Sequence, residues 1–161
     1  MRIDEPIDPE CDLVLDRDIP VPPALVWQAW TRPEPLREWF TPRPWTVAEC
    51  DVEPWPGGRF HTVMRSPEGQ LVPNTGCFLE VIPDERLVWT SALGPGFRPA
   101  ETVGAFTFTG MILLAPHERG TRYRAIARHG DVETARRHEA MGFQAGWGMA
   151  LDQLVAHMTR G

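Results

Sequence analysis

Two side chains near the end of the chain are of the kind that can move a proton. They are Tyr123 and His129, which lie in the segment TRYRAIARH. Successive side chains of a β-strand point to opposite faces. One face of this segment then carries Arg122, Arg124 and Arg128. Because the charged arginine side chains should face solvent, we expect Tyr123 and His129 on the buried face.

These two side chains suit different tasks. The ordinary pKa of histidine lies near neutrality, so His129 could act as a general acid or base, or bind a ligand. The alternative is a structural histidine, hydrogen-bonded near a helix N-terminus. Tyr123 is the only tyrosine of the chain, and its partner could be a ligand carbonyl or the protein core. Six residues of strand separate the two by about 20 Å, too far to act on one atom.

No familiar catalytic or metal-binding motif accompanies them. His138 and Glu139 do not begin an HExxH motif, because Gly142 occupies the position of the second histidine. The sequence also lacks a GxSxG elbow, a Walker loop and a GxGxxG loop. We therefore expect neither a metal nor a cofactor, and the catalytic residues of any reaction stay unassigned.

Large apolar side chains could form the walls of a binding pocket. Strand alternation places several of them on the buried face of a sheet, and the C-terminal helix adds others. Each could instead be ordinary core. Gln144 interrupts an apolar helical stripe, so its amide reaches either solvent or a ligand. The candidate pocket residues are Trp39, Phe40, Phe60, Met64, Trp89, Phe108, Tyr123, His129, Met141, Gln144, Ala145 and Met149.

The elements that must position these residues are strands, with two short helices near the start. Residues 12–19 alternate imperfectly, as in an edge strand, and two short helices follow in PVPPALVWQAW and PEPLREWF. Residues 45–90 have the period of strands separated by turns, and Gly57 and Gly58 suit the tight turn in PWPGG. A loop over residues 93–104 leads to a last hairpin, AFTFTGMILLA and TRYRAIARH.

The segment from residue 131 to 160 predicts a long helix that covers the sheet. Asp131 suits its N-cap, and Trp147 and Leu151 belong to a bulky apolar stripe. A second stripe has mainly small residues, Gly142, Ala145, Gly146 and Met149. Either the helix approaches a neighbour closely there, or side chains are missing to leave room. We predict a cavity between the sheet and the first half of this helix.

Composition sets further limits. The 161 residues, 42% of them hydrophobic, predict one globular domain over residues 11–161 after a tail over residues 1–10. Neither a signal peptide nor an apolar span of about 18 residues is present, so we expect a soluble, cytoplasmic protein. The net charge of −6 argues against nucleic acid and anionic membranes as partners. All basic residues are arginine, which indicates a GC-rich bacterial genome. The three cysteines lack CxxC spacing and are expected to be inert thiols: Cys11, Cys50 and Cys77.

Five segments carry a resemblance to a known family. They are VWQAWTRPEPLREWF (26–40), PGGRF (56–60), GCFLEVIPDERLVWT (76–90), GTRYR (120–124) and GFQAGWGMALDQLVAHM (142–158). In this order the chain resembles the SRPBCC superfamily, which includes START and polyketide cyclase-like proteins. Within it, the chain is similar to bacterial relatives of the C-terminal domain of the heat-shock-protein-90 ATPase activator. The resemblance implies an α+β helix-grip fold, a curved antiparallel sheet around a long C-terminal helix, with two short helices after the first strand.

The same resemblance implies three possible functions. The first is binding of a small hydrophobic molecule in an internal cavity between the sheet and the C-terminal helix. The second is a cyclase, dehydratase or hydrolase-like enzyme that uses this cavity for a hydrophobic or polyketide-like substrate. The third is a chaperone-associated interaction module, and a homodimer is compatible with each. An enclosed cavity would favour the first two, and a large exposed apolar patch the third.

Overall fold

The computed structural model of the protein describes residues 5–101 and 106–160. Their helices and strands follow one another as β1 (Asp12–Ile19), α1 (Pro23–Thr31), α2 (Pro33–Trp39), β2 (Thr46–Val52), β3 (Arg59–Arg65), β4 (Leu71–Ile82), β5 (Arg86–Thr90), β6 (Leu93–Gly94), a 3-10 turn (Pro95–Phe97), β7 (Arg98–Pro99), β8 (Thr109–His117), β9 (Gly120–Arg128), α3 (Val132–Ala140) and α4 (Phe143–Met158). Residues 1–4 of the predicted tail, residues 102–105 of the predicted loop and last hairpin, and residue 161 lie outside the described residues.

Within the described residues, seven strands form one antiparallel sheet in the order β1-β9-β8-β5-β4-β3-β2. The short strands β6 and β7 pair with each other in the loop that was predicted from residue 93. Bulges in β2 and β4 interrupt the register and add local twist to the sheet. Gly57 has a φ of +84° in the β2–β3 turn, as its sequence context predicts. The predicted α+β helix-grip fold is confirmed.

The long helix predicted at the C-terminus is divided in two. Asp131 caps α3 as predicted, since its side chain accepts a hydrogen bond from the Thr134 amide at 2.7 Å. Gly142 then has a φ of +95°, and α4 begins at the next residue. Glycine adopts this backbone conformation without the strain that a side chain adds. The chain therefore changes direction between α3 and α4, and α4 is the long C-terminal helix of the fold.

The main core lies between one face of the sheet and the helices α1, α2 and α4. Phe78 of β4 and Leu154 of α4 are fully buried in it, and Leu151 is nearly so. Trp147 is half-buried and packs against the same core. The bulky stripe predicted for the C-terminal helix therefore does face the sheet. Burial of large apolar side chains supplies most of the driving force for such packing.

The opposite face of the sheet is less exposed to solvent than its arginines suggest. A second apolar cluster there consists of Val88, Met111, Leu113 and Ile126. Near this cluster the segment before β1 is tied to the sheet by Glu5, which pairs with Arg86 at 2.8 Å and with Arg128 at 3.3 Å. Arg128 also donates to the carbonyl oxygen of Pro6 at 2.8 Å. Arginines on this face thus hold the N-terminal segment as well as meeting solvent.

The described part of the chain includes no helix with both the length and the apolar character needed to cross a membrane.

Candidate functional site

Aromatic rings fill the interface between the sheet and helices α1 and α2. The Trp30 ring centroid lies 4.9 Å from that of Trp39 and 5.3 Å from that of Trp89. The rings of Phe60 and Phe78 stack with centroids 5.1 Å apart. Such centroid distances are those of rings in direct contact. The candidate pocket residues placed in this aromatic core are Trp39, Phe40, Phe60 and Trp89.

Tyr123 lies in the same core. Its hydroxyl accepts a hydrogen bond from the indole Nε1 of Trp30 at 3.2 Å. Burial raises the pKa of the Tyr123 phenol above its ordinary value, so the phenol is neutral at physiological pH. Of the two partners considered for Tyr123, the structure shows the protein core.

Two histidines form a hydrogen-bonded pair where β9 ends and α3 begins. His129 follows the last residue of β9, and His138 lies in the second turn of α3. The Nε2 atom of His129 is 2.9 Å from the Nδ1 atom of His138. The Nδ1 atom of His129 is 2.8 Å from the carbonyl oxygen of Cys11. His129 is only 9% exposed and His138 only 7%.

These contacts determine the tautomers of the neutral pair. The carbonyl oxygen of Cys11 can only accept, so the Nδ1 atom of His129 carries the hydrogen and donates it. The Nε2 atom of neutral His129 is then an acceptor, and the Nδ1–H of His138 must donate to it. The Nε2 atom of His138 keeps its lone pair. It has no hydrogen-bond partner among the described residues.

Four aromatic rings surround His138. The ring centroids of Phe106 and Phe108 are both 4.8 Å from that of the imidazole. Those of Phe143 and Trp147 are 5.4 Å and 6.1 Å away. We call this group the histidine cluster, and its members are His129, His138, Phe106, Phe108, Phe143 and Trp147. Phe106, Phe108 and Trp147 are half-buried, so part of the cluster is accessible.

The surroundings of His138 disfavour the charged form of this side chain. Burial, followed by the neighbouring His129, lowers the pKa of His138 to about 4, so this imidazole is neutral at pH 7. Two charged groups lie nearby. Asp131 accepts hydrogen bonds from Thr134, which lower the pKa of its carboxyl, and the Arg137 guanidinium lies 5.7 Å from the Phe106 ring centroid. Among the described residues, neither forms an ion pair with His129 or His138, so the Nε2 atom of His138 is a neutral acceptor surrounded by aromatic rings.

The sequence and the fold both match known proteins. The family model described as Activator of Hsp90 ATPase homolog 1-like protein matches residues 20–159. The chain belongs to this family. The resemblance to the heat-shock-protein-90 activator group of the SRPBCC superfamily is therefore confirmed. No curated protein matches the chain.

Several solved structures are similar to this member of the Activator of Hsp90 ATPase homolog 1-like family. A crystal structure of a protein from Nitrosomonas europaea is 47% identical, with a TM-score of 0.91 over 94% of this chain and 96% of that chain. An AHSA1 protein from Silicibacter pomeroyi is 25% identical, with a TM-score of 0.67 over 91% of this chain and 96% of that chain. A protein from Rhodobacter sphaeroides is 24% identical, with a TM-score of 0.78 over 91% of each chain.

The other candidate pocket residues of this family member are dispersed. Phe108 and His129 belong to the histidine cluster, and Met64 is half-buried on β3. Four lie at the surface, where Met141 is 73% exposed and Met149 46% exposed. The other two of these surface residues are Gln144 and Ala145.

The expectation that the small-residue stripe faces the sheet is wrong. Ala145 is exposed, and a Cβ atom on Gly146 would have open space around it. Phe143 is buried on the side of α4 that faces the sheet. Ala145 lies about 200° further around the helix, so it points away from the sheet. The amide of Gln144 neither faces a cavity nor stays free, since it donates to the Val14 carbonyl at the open edge of β1 at 2.9 Å.

A surface depression of about 330 Å³ lies on the outer side of α4. Its lining residues are Arg43, Met149, Asp152, Gln153, Ala156 and Arg160. Gln153 anchors the segment at the end of α2, because its Nε2 atom donates hydrogen bonds to the carbonyl oxygens of Trp39 and Thr41 at 3.0 Å and 2.7 Å. The depression is therefore a feature of the outer α2–α4 junction and not of the sheet-facing interior.

The structure also describes the Cys50 thiol and the side chains that could bind a metal ion. Cys50 is a free thiol, and burial raises its pKa to about 11, so it is a poor nucleophile at neutral pH. In residues 5–101 and 106–160, no group of three or more histidine, cysteine, aspartate or glutamate side chains is arranged to hold a metal ion.

Sequence reasoning missed His138 as a functional candidate. In the sequence, His138 stands out only because it could begin an HExxH motif, which Gly142 rules out. A signal was available, because Ala135 and His138 stand three residues apart in a segment that is otherwise mostly polar, as buried residues of a short helix do. What the sequence did not provide was the approach of this helix face to the end of β9.

Proposed function

We propose that this protein binds a small apolar molecule at the histidine cluster, at the end of the sheet–helix interior next to α3. The observation that carries the proposal is the partial exposure of the Phe108 and Trp147 rings around a buried histidine. Both rings also pack against the main core, so a ligand there would extend the apolar interior. Ligand sites are commonly apolar with a few placed polar groups.

Other parts of the molecule support ligand binding less well. The aromatic core around Trp30 and Phe60 has its rings in mutual contact, so a ligand there would have to displace packed side chains. The depression outside α4 has a charged rim, with Arg43, Asp152 and Arg160 among its lining residues. Tyr123 is already bonded to Trp30, so it offers a substrate no free phenol. The enzyme hypothesis stays a prediction.

A titration with 2-methoxynaphthalene, followed by isothermal calorimetry, tests the proposal. Phe108→Leu keeps an apolar side chain but removes a ring, and we expect it to weaken binding about five-fold. Met149→Ala, in the outer depression, is the matched control and should bind like the parent. Binding that is insensitive to Phe108→Leu but lost in Met149→Ala would place the ligand outside α4. No detectable binding to the parent would also refute the proposal.

The family description gives a second candidate function, which is stimulation of a chaperone ATPase of the Hsp90 type. A specific surface favours it. Trp55 and Phe97 are 55% and 50% exposed. Both adjoin the β2–β3 turn, since a Cβ atom on Gly57 would come within 2.8 Å of the Phe97 ring and Gly58 donates to the Trp55 carbonyl. Large exposed aromatic side chains are common anchors of protein interfaces.

The chaperone candidate is tested by the steady-state ATPase rate of a bacterial Hsp90 protein. Adding the parent protein should raise this rate, and Trp55→Ser should abolish the increase. Met149→Ser removes an exposed apolar side chain elsewhere and should leave the stimulation unchanged. An ATPase rate that does not respond to the parent protein rejects this function.

A further inference from the structure

We propose that the Nε2 atom of His138 is a preformed hydrogen-bond acceptor for a neutral hydroxyl group, and that the ligand of the histidine cluster is a phenol-like molecule. This inference rests on the proposed function and specifies the chemical class of its ligand. It assigns a role to a nitrogen atom that no protein group among the described residues uses.

The direction of the hydrogen bonds requires a donor from the ligand. Each neutral histidine carries one N–H hydrogen, and both are donated within the protein. His138 donates to His129, and His129 donates to the Cys11 carbonyl. In an imidazole ring, the two nitrogen lone-pair directions diverge, so the Nε2 atom of His138 points away from His129. A ligand that meets this atom must donate a hydrogen. A ligand with only a carbonyl or ether oxygen would place two acceptors together.

The Nε2 atom is accessible to such a ligand. Among the described residues, every fully buried side-chain nitrogen or oxygen atom has a hydrogen-bond partner. The Nε2 atom of His138 has none, although the residue as a whole is only 7% exposed. The Nε2 atom is therefore not fully enclosed by the protein. An acceptor in this position loses little when free and gains a directed bond when a donor enters.

The surroundings favour a neutral aromatic donor over a charged one. Phe106, Phe108, Phe143 and Trp147 provide both edges and faces, which suit contact with a planar ring. The burial that keeps His138 uncharged also penalises an ammonium ligand. Two charged groups near the pair have contacts of their own, Asp131 with the Thr134 amide at the α3 N-cap and Arg137 with the Phe106 ring.

The experiment compares 2-naphthol with 2-methoxynaphthalene, which differ only in the methylation of the hydroxyl group. Calorimetric titrations at pH 7.5 are expected to show the parent binding 2-naphthol at least about five-fold more tightly. His138→Asn keeps an amide nitrogen near the position of Nδ1, so it can still donate to His129, but it has no atom at the position of Nε2. We expect this variant to lose the preference for 2-naphthol.

Two further variants separate recognition from folding. His138→Gln places an amide oxygen near the position of Nε2 and should keep part of the preference. His157→Asn changes a histidine in the last turn of α4, outside the cluster, and should keep all of it. Thermal unfolding of each variant shows whether it is folded. If His138→Asn does not fold, ¹⁵N spectra of the parent imidazoles decide, since the proposal requires His138 to carry its hydrogen on Nδ1.

The outcomes distinguish this inference from the proposed function. Equal affinity of the parent for the two naphthalenes, or a preference retained in His138→Asn, overturns hydroxyl recognition but leaves apolar binding intact. An Nε2–H tautomer of neutral His138 also overturns it. Failure of both compounds to bind overturns the proposed function and this inference together.

Discussion

Acidification is expected to destabilise the fold through His138. The pKa of this imidazole falls from an ordinary value of 6.5 to about 4 in the folded protein, mainly because the ring is buried. Between these two pH values the unfolded chain binds a proton that the folded chain does not. The free energy of unfolding therefore decreases as the pH falls through this window, and the contribution of His138 is constant above about pH 6.5.

The size of the effect follows from the same two pKa values. Each pH unit in the window changes the free energy of unfolding by about 1.4 kcal/mol for one proton. Acidification from pH 6.5 to pH 4 should thus remove about 3 kcal/mol, a large part of the stability of a typical domain. The lowered pKa of the Asp131 carboxyl also reduces stability in acid, but only below about pH 4, since its ordinary value is 3.8.

Urea unfolding at half-unit steps from pH 7 to pH 4 measures this slope. Carboxylates titrate in the lower part of this range in the parent and in any variant, so the informative quantity is the difference between the parent and His138→Asn. The asparagine does not titrate, and the variant should lose less stability than the parent by about 3 kcal/mol over the window. Equal pH dependence in the two proteins would refute the assignment of a buried, neutral histidine.

Other substitutions give direct tests of packing. Tyr123→Phe leaves the Trp30 indole without its partner and should cost about 1 kcal/mol in urea unfolding, whereas an unchanged midpoint would contradict the buried hydrogen bond. Trp147→Ala should cost about 3 kcal/mol, at the lower end for a large aromatic because this ring is half-buried; a melting temperature equal to the parent's would contradict its core position. Gly146→Ala should stabilise α4 by about 1 kcal/mol, because a Cβ atom has open space there, and a loss of stability would show that the space is filled.

The architecture could be predicted because its signals are local. Strand alternation, the Gly57 turn and the Asp131 cap each depend on neighbouring residues, and each appears in the structure. The bulky stripe of α4 was also readable, since Phe143, Trp147 and Leu151 repeat at helical spacing. Patterns of this kind determine which face of an element is buried, and so they determine the order of layers in the fold.

The candidate site was only partly predictable, because it depends on tertiary contacts. His129 was identified from strand alternation, but its partner His138 comes from a different element nine residues later. Their pairing requires α3 to pack on the end of β9, and the bend at Gly142 then brings Phe143 and Trp147 against the same ring. The continuous helix that the sequence predicts lacks this bend. The position of the small residues of α4 has a separate cause, since Ala145 lies about 200° around the helix from the buried Phe143.

The central claim is that the accessible end of the core, at the histidine cluster, receives an apolar ligand. The most direct measurement is an NMR titration with 2-naphthol, in which the backbone amide signals, the imidazole ¹⁵N signals and the tryptophan indole N–H signals are followed. We predict that the signals of His138, His129 and Trp147 shift together with one dissociation constant. Shifts confined to residues of the outer depression, such as Arg43 and Gln153, with the cluster signals unmoved, would contradict the claim.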